Sequence, residues 1–324
     1  MNMIEDKVSN QPEAPIASSS AKPSYGGQAV IEGVMMKAPD GHMAMACRLP
    51  DGSITIEHIK RSLKYQAAFY RLPLVRGVVS FVDSLFTGTE VIGLSAQLAA
   101  SGEEGEEEIT SWQMLLAVVM AMVLGVGLFM VLPTVLLRLL PLDSWFGDFV
   151  LGKNLLESVV RMAIFLSYVV LISQMKDIRR VFEYHGAEHK TIHCYEAGLP
   201  LTPENAQGFS ALHPRCGTSF LLIVMVISSL FFSLFGWPDL LTRIVSRLLL
   251  LPLVAGFSYE VLRWMSKYQG KSIFIDAMIW PGLQLQRLTT RQPDLAQLEV
   301  AIASLHAAQT YERAQGAADE DTPS

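Results

Sequence analysis

The chain has 324 residues, of which 51% are hydrophobic and 17% are charged; its net charge is −6 and its mean hydropathy is +0.33. A soluble domain carries about 25% charged residues, so the composition indicates a membrane protein with soluble parts. It excludes a disordered chain and a basic protein that binds nucleic acid, and three cysteines are too few for a secreted disulfide framework.

The N-terminal third of the chain predicts soluble or interfacial elements. Residues 1–23 are rich in Ser, Pro and Ala and lack the apolar stretch of a signal peptide, which predicts a disordered tail. Residues 24–60 hold three apolar or alternating runs separated by Pro-Asp-Gly turns, which predicts a cytoplasmic β-meander whose first strand is 28–36. Residues 61–102 predict amphipathic helices that either pack in a core, or lie on the membrane surface or dip into it. An acidic linker follows at 103–110.

Four later segments have the length of membrane-spanning helices, since a hydrocarbon core of about 30 Å needs roughly 20 apolar residues. The second segment carries Glu157 and Arg161 at a spacing of four, which allows the two side chains to pair. The fourth has a short uncharged centre that flanking arginines extend by snorkelling. We therefore expect an α-helical polytopic membrane protein with four transmembrane helices and a small N-terminal meander. The predicted spans are 111–137, 154–176, 216–238 and 244–263.

The distribution of Lys and Arg predicts that both termini are cytoplasmic. These residues are frequent before the first span, in the loop 177–215 and in the C-terminal segment 264–308, and they are sparse in 138–153. The acidic linker counts little in this rule. Residues 309–324 predict a second disordered tail.

The loop 177–215 and its edge contain a concentration of potential metal ligands. His185, His189 and His193 recur every four residues in a predicted helix that ends at a glycine, so their side chains share one face. Two histidines at this spacing are a common geometric start of a metal site. Glu188 precedes His189, and the order His-x-x-Glu-His is that of inverted zinc proteases, in which the glutamate activates water.

His213 and Cys216 add a nitrogen and a sulfur ligand about 20 residues after the helix. Imidazole together with thiolate favours zinc or iron over magnesium. A cytoplasmic location keeps the cysteines reduced, which favours ligation over a disulfide. The competing interpretation is a solvated, interfacial or partner-binding histidine face without a metal.

Three further residues are weaker site candidates. Cys194 lies beside His193, but a small buried residue is the favoured interpretation. Glu32 is the one charge in an apolar strand, where it either supplies a carboxylate to the site or is merely exposed. Glu260 lies inside the fourth span and is a candidate ligand, a partner for Arg263 or an interfacial residue.

Five blocks of this sequence resemble the signature segments of the bacterial YqhQ family, whose domain is DUF1385, a domain of unknown function. The blocks occur in order, and the resemblance covers about residues 24–308. They are Gly27–Met36, Arg76–Val79, His185–Lys190, His213–Thr218 and Pro281–Thr290. The resemblance implies an integral membrane protein of a bacterial inner membrane and a metal-dependent enzyme, without a substrate. The positions it implies for the site are His185, Glu188, His189, His193, His213 and Cys216.

Two functions from different classes follow from these observations. The first is a metal-dependent hydrolase at the cytoplasmic membrane face, with zinc or iron as cofactor, Glu188 as the group that takes a proton from water, and a lipid or membrane peptide as substrate. The alternative is a membrane scaffold stapled by a metal, without turnover, that binds a cytoplasmic partner. A transporter is disfavoured because the spans contain no repeat and few charges. Homo-oligomer formation stays open.

Overall fold

The computed structural model describes residues 23–59, 72–101, 111–233, 236 and 238–320. The predicted N-terminal tail, except Pro23, and the predicted acidic linker lie outside these residues. The described helices are α1 (Val75–Ala100), α2 (Ser111–Val126), α3 (Leu132–Arg138), α4 (Leu142–Phe146), α5 (Val150–Ile172), α6 (Lys176–Ala197), α7 (Pro203–Gln207), α8 (Gly217–Ser233), α9 (Leu240–Tyr268), α10 (Ile273–Thr289) and α11 (Leu295–Glu320). A π-helical turn joins α2 to α3, and α11 runs into the segment for which the sequence predicts a tail.

Four helical segments of the described chain are long and apolar enough to cross a membrane: Val75–Ala100, Trp112–Arg138, Val150–Ile172 and Leu241–Tyr268. Three of them overlap predicted spans, and the other is α1. The predicted third span corresponds to α8, which has 17 described residues. At 1.5 Å per residue the described part of this helix is about 25 Å long, shorter than the hydrocarbon core. The fold class is confirmed, with α1 among the candidate spans instead of α8.

Helix α1 packs closely on α9 because both helices carry a glycine at the crossing. A Cβ atom on Gly77 would lie 2.7 Å from the carbonyl oxygen of Gly256. Small residues at such a crossing let two backbones approach without side chains between them. Beside it, Arg76 donates two hydrogen bonds to the carboxylate of Glu260, with Nε 2.6 Å from Oε1. The contact explains why α1 is part of the helix bundle.

A buried charge cluster links α3, α5 and α9. The carboxylate of Glu157 is 1% exposed and accepts hydrogen bonds from Arg161 at 2.8 Å, from Thr134 at 2.9 Å and from Arg247 at 2.9 Å. The predicted pair of Glu157 and Arg161 is therefore present within a larger network. Charges inside an apolar bundle need partners, and here the guanidinium groups of Arg161 and Arg247 share the carboxylate of Glu157.

The N-terminal sheet has four antiparallel strands in sequence order, one more than the sequence predicts. The predicted first strand, 28–36, is divided by a turn in which Glu32 has a φ of 52°. A Cβ atom on the next residue, Gly33, would overlap the carbonyl oxygen of Ala46, so this close approach of two strands needs a glycine there. The strands are β1 (Gly26–Val30), β2 (Gly33–Lys37), β3 (Met43–Arg48) and β4 (Ile54–Ile59).

The sheet lies between two helical layers, so its side chains are buried on both faces. Val34 and Met36 pack with α6 and α11, whereas Met35 and Met45 pack with α1. The alternation follows from the two-residue period of a strand. The packing holds strand β1 beside α6, which carries the histidines.

Candidate metal centre

Helix α6 arranges the three predicted histidines on one face, as the sequence predicts. It ends at Gly198, whose φ of 77° is the left-handed conformation that caps a helix at low cost for glycine. The ring centroids of His185 and His189 are 4.4 Å apart. The turn before α8 returns to this face, where the rings of His193 and His213 lie 4.7 Å apart.

The structure brings His185, His189 and Cys216 into one group. One ligand atom from each residue lies within 4.8 Å of the other two, and Nε2 of His185 is 3.1 Å from Sγ of Cys216. His189 and Cys216 are buried and His185 is half-buried. Two imidazoles and a thiolate form a donor set that zinc and iron accept.

Backbone carbonyls fix which ring nitrogen of each histidine is free to bind a metal. Nδ1 of His185 donates to the carbonyl oxygen of Thr289 at 2.8 Å, and Nδ1 of His189 donates to that of Ala211 at 2.6 Å. A carbonyl only accepts, so both Nδ1 atoms carry the proton and both Nε2 atoms keep a lone pair. Among the described residues, Nε2 of His189 is buried without a hydrogen-bond partner. Metal-binding histidines are commonly oriented in this way, so the group fits a metal.

The surroundings of the group favour the ionisation states that bind a metal. Burial lowers the pKa of His189, which keeps its imidazole neutral. Burial acts to raise the pKa of the Cys216 thiol, but His189 and the hydroxyl of Thr218 outweigh it, and the net effect lowers that pKa. A neutral imidazole and a thiol whose pKa is lowered both favour zinc binding, because zinc binds neutral imidazole and thiolate.

The other predicted ligands, His193 and His213, form a second group together with Glu196. Nε2 of His193 donates to the carbonyl oxygen of Leu212 at 3.0 Å. Arg215 donates to the carboxylate of Glu196; burial acts to raise the pKa of this carboxyl, and His213 and Arg215 outweigh it and lower the pKa to about 2. Because a guanidinium already neutralises the carboxylate, this group suits a metal less well than the first.

Gln286 on α10 and Gly186 on α6 hold the site in place. The buried side chain of Gln286 accepts a hydrogen bond from the backbone N–H of His213 at 2.8 Å and donates to its carbonyl oxygen at 2.7 Å. Gly186 lies against the segment after α10, where a Cβ atom would overlap the carbonyl oxygen of Arg291. The absence of a side chain there lets Thr289 reach His185.

Glu188 shares a cavity of about 720 Å³ with the first group. Strand β1, α1, α6 and the start of α8 form its walls. The side chain of Glu188 is 5% exposed and lies against Gly27, where a Cβ atom would be 2.8 Å from Cγ. Burial raises the pKa of Glu188 to about 8, opposed by His185 and assisted by Cys216.

The three weaker candidates from the sequence make contacts outside the two groups of potential ligands. Glu32 lies at the turn between β1 and β2 and pairs with Arg180, whose NH2 group is 2.6 Å from Oε2. Glu260 pairs with Arg76, a partner that the sequence did not indicate. Cys194 is fully buried in the core between the sheet and α11, as its favoured interpretation predicts. None of the three belongs to either group of potential ligands.

Sequence reasoning missed Glu196, Arg215 and Gln286. A signal existed for Glu196, because it lies three residues after His193 and so on the same helical face. Arg215 and Gln286 act through long-range contacts, 19 residues to Glu196 and 73 residues to His213. No local pattern in the sequence reports such contacts.

Comparisons with known proteins place the chain among proteins without an assigned function. The model of the family described as "Protein of unknown function (DUF1385)" matches residues 72–311. The uncharacterized protein YqhQ of Bacillus subtilis (strain 168) is 34% identical over 297 residues, which cover 88% of this chain and 92% of that protein. No solved structure matches the chain.

Proposed function

The chain belongs to the DUF1385 family, whose function is unknown, and from its site we propose that it is a metal-dependent hydrolase at the cytoplasmic face of a bacterial inner membrane. The observation that carries the proposal is the unpartnered buried Nε2 atom of His189 beside His185 and Cys216. The candidate spans support the membrane location, and the abundance of Lys and Arg around the site supports the cytoplasmic side.

His185, His189 and Cys216 would hold zinc or iron. The carbonyl oxygens of Thr289 and Ala211 would keep the two rings oriented. When bound, the metal supplies Lewis-acid chemistry, which activates water and polarises a carbonyl group. Three protein ligands are typical of catalytic zinc sites, whereas structural sites use four.

Glu188 would act as the general base that accepts a proton from the attacking water and returns it to the leaving group. Glu188 follows His185 by three residues on α6, so its carboxyl lies on the same side of the helix and lines the same cavity as the ligands. A carboxyl whose pKa is raised to about 8 by burial is suited to both halves of this transfer near neutral pH.

Elemental analysis of the detergent-purified protein tests the metal site. We expect about one zinc or iron per chain in the wild type and none in a His185→Ala/His189→Ala double variant. His306→Ala is the matched control, because His306 is exposed on α11, and it should keep the metal. A folded wild-type protein without metal would contradict the proposal and leave a partner-binding histidine face.

Glu188→Gln separates the hydrolase from the metal-stapled scaffold. Mass spectrometry of a peptide mixture and of phospholipids incubated with the metal-loaded protein would measure hydrolysis. We expect the variant to keep the metal and lose activity by a factor of about 100 or more. A scaffold would show no hydrolysis in the wild type, and His189→Ala would unfold the segment before α8.

A further inference from the structure

We propose that the substrate is an extended polypeptide segment that binds as an added strand along β1, next to Glu188. The inference rests on the proposed hydrolase function and names its substrate class. It depends on three observations made on the described residues: β1 has a free edge, that edge borders the cavity of the metal site, and two edge residues have backbone groups that point away from β2 and make no hydrogen bond outside the sheet.

Strand β1 is an edge strand, since the sheet order places only β2 beside it. The 720 Å³ cavity runs along β1 from Gly26 to Ala29. A second cavity of about 340 Å³ shares Ser24, Gly26, Gly27 and Gln28 with the first and continues toward Lys37. The second cavity extends from this shared part of β1 under α1, toward Met35 and Met43. We call the part of the first cavity along β1 the groove, and the volume of that cavity is within the range of ligand sites.

The strand register shows which backbone groups point into the groove. Val30 pairs with Gly33 across a two-residue turn, so these two residues exchange hydrogen bonds. The alternation of an antiparallel pair then directs the N–H and C=O groups of Gln28 toward β2 and those of Gly27 and Ala29 away from it. In the described part of the chain, no backbone hydrogen bond of Gly27 or Ala29 leaves the sheet.

The free edge lies directly beside the reactive group. Glu188 contacts the Cα side of Gly27, which has no side chain to separate them. Arg215 donates to the hydroxyl of Ser24 at 2.6 Å and to the carboxylate of Glu196. This bridge ties the start of β1 to α6. A peptide that pairs with Gly27 and Ala29 therefore passes Glu188 in a fixed register.

Backbone groups at strand spacing recognise another backbone, which is the basis of strand addition at sheet edges. An acyl chain would gain nothing from the two donors and two acceptors of Gly27 and Ala29, because it has no hydrogen-bonding groups. In the reaction, the oxygen of water bonds to the amide carbon and the C–N bond breaks. Glu188 carries one proton from the water to the leaving amine.

Binding of hydroxamates to the zinc-loaded full-length protein, measured by calorimetry in detergent, tests the inference. Acetohydroxamic acid reports the metal alone, and a hydroxamate attached to three apolar residues reports the added strand. We expect the peptide hydroxamate to bind at least about tenfold more tightly. Methylation of alternate amide nitrogens in that peptide should remove the gain.

Ala29→Pro tests the protein side of the same contact. Proline removes only the N–H group that points into the groove and leaves the pairing with β2, which an edge strand tolerates. We expect the ratio of the affinity of the peptide hydroxamate to that of acetohydroxamic acid to fall at least about fivefold. The affinity for acetohydroxamic acid itself should stay unchanged. Ala29→Gly keeps the N–H group and is the matched control. If Ala29→Pro does not fold, the methylated peptide decides.

The outcomes distinguish this inference from the proposed function. Absence of acetohydroxamic acid binding contradicts the metal site. Binding of acetohydroxamic acid with no gain from the peptide, or with a gain that N-methylation leaves unchanged, contradicts the peptide inference alone. Octanohydroxamic acid tests a lipid substrate. If it binds as tightly as the peptide hydroxamate, and Ala29→Pro leaves its affinity unchanged, a lipid is favoured and the peptide inference is overturned.

Discussion

The Nε2 atom of His185 lies 3.1 Å from the Sγ atom of Cys216, although 31 residues separate them in the sequence. The two residues come from α6 and from the turn before α8. A metal bound between them would therefore connect a helix next to the sheet with a helix of the apolar bundle. The site lies where the soluble and apolar parts of the molecule meet.

Replacement of Cys216 by serine should weaken zinc binding by more than about a hundredfold. Loss of an outer partner of a metal ligand costs about 10- to 100-fold in affinity, and loss of a direct ligand costs more. Competition with a chromophoric chelator measures the affinity. Cys194→Ser is the control, because Cys194 is buried in another core; equal losses in both variants would contradict the assignment of Cys216.

Replacement of Gly186 by alanine should damage the site from a distance. The new Cβ atom would push the carbonyl of Arg291 away and move the nearby carbonyl of Thr289 from His185. We expect a loss of about 1–3 kcal/mol in the free energy of unfolding and of about 10- to 100-fold in zinc affinity. In Gly208→Ala the new atom meets only an ordinary contact at 3.5 Å, so both quantities should stay near their wild-type values.

Replacement of Glu157 by glutamine should destabilise the helix bundle without touching the metal site. The variant leaves the buried guanidinium groups of Arg161 and Arg247 without their negative partner, a change that typically costs about 3–5 kcal/mol. Thermal unfolding in detergent measures the effect. Glu299→Gln breaks an ion pair whose carboxylate is 58% exposed and should cost less than about 1 kcal/mol. Similar losses in the two variants would contradict this account.

Iodoacetamide should distinguish the cysteines at pH 8. Burial raises the pKa of Cys47 to about 12, with Glu32 and Glu57 adding to the effect, so only roughly 0.01% of this thiol is ionised and reactive. Cys216 lines the cavity and should be modified in metal-free protein and protected by zinc. Peptide mapping by mass spectrometry identifies the modified residue.

The same pKa predicts how stability changes with pH. In the folded protein the pKa of Cys47 lies above its ordinary value of 9.0. The folded state therefore holds this proton more tightly than the unfolded state does. The resulting stabilisation is complete below pH 9 and is lost as the pH rises toward 12. Cys47→Ala should make this alkaline loss smaller in thermal unfolding; an unchanged alkaline loss would contradict the role of Cys47.

Hydropathy predicted four spans, and the described chain has four candidate spans. It did not predict that α1 would be one of them. The segment 216–238 is uncharged, but its helix is described only to Ser233. Helix α1 carries charged residues that suggest an interfacial helix, and their partners become evident only in the structure. Arg76 meets Glu260 from a segment 184 residues away, a pairing that hydropathy does not encode.

The sequence by itself determined the membrane class and the histidine face of α6, because composition and helical periodicity are local properties. The tertiary structure alone decided how the candidate ligands divide into two groups and which ring nitrogens are available. It also placed the free edge of β1 beside Glu188. These features depend on where Thr289, Ala211 and Gly27 lie relative to α6, and such positions result from packing between distant segments.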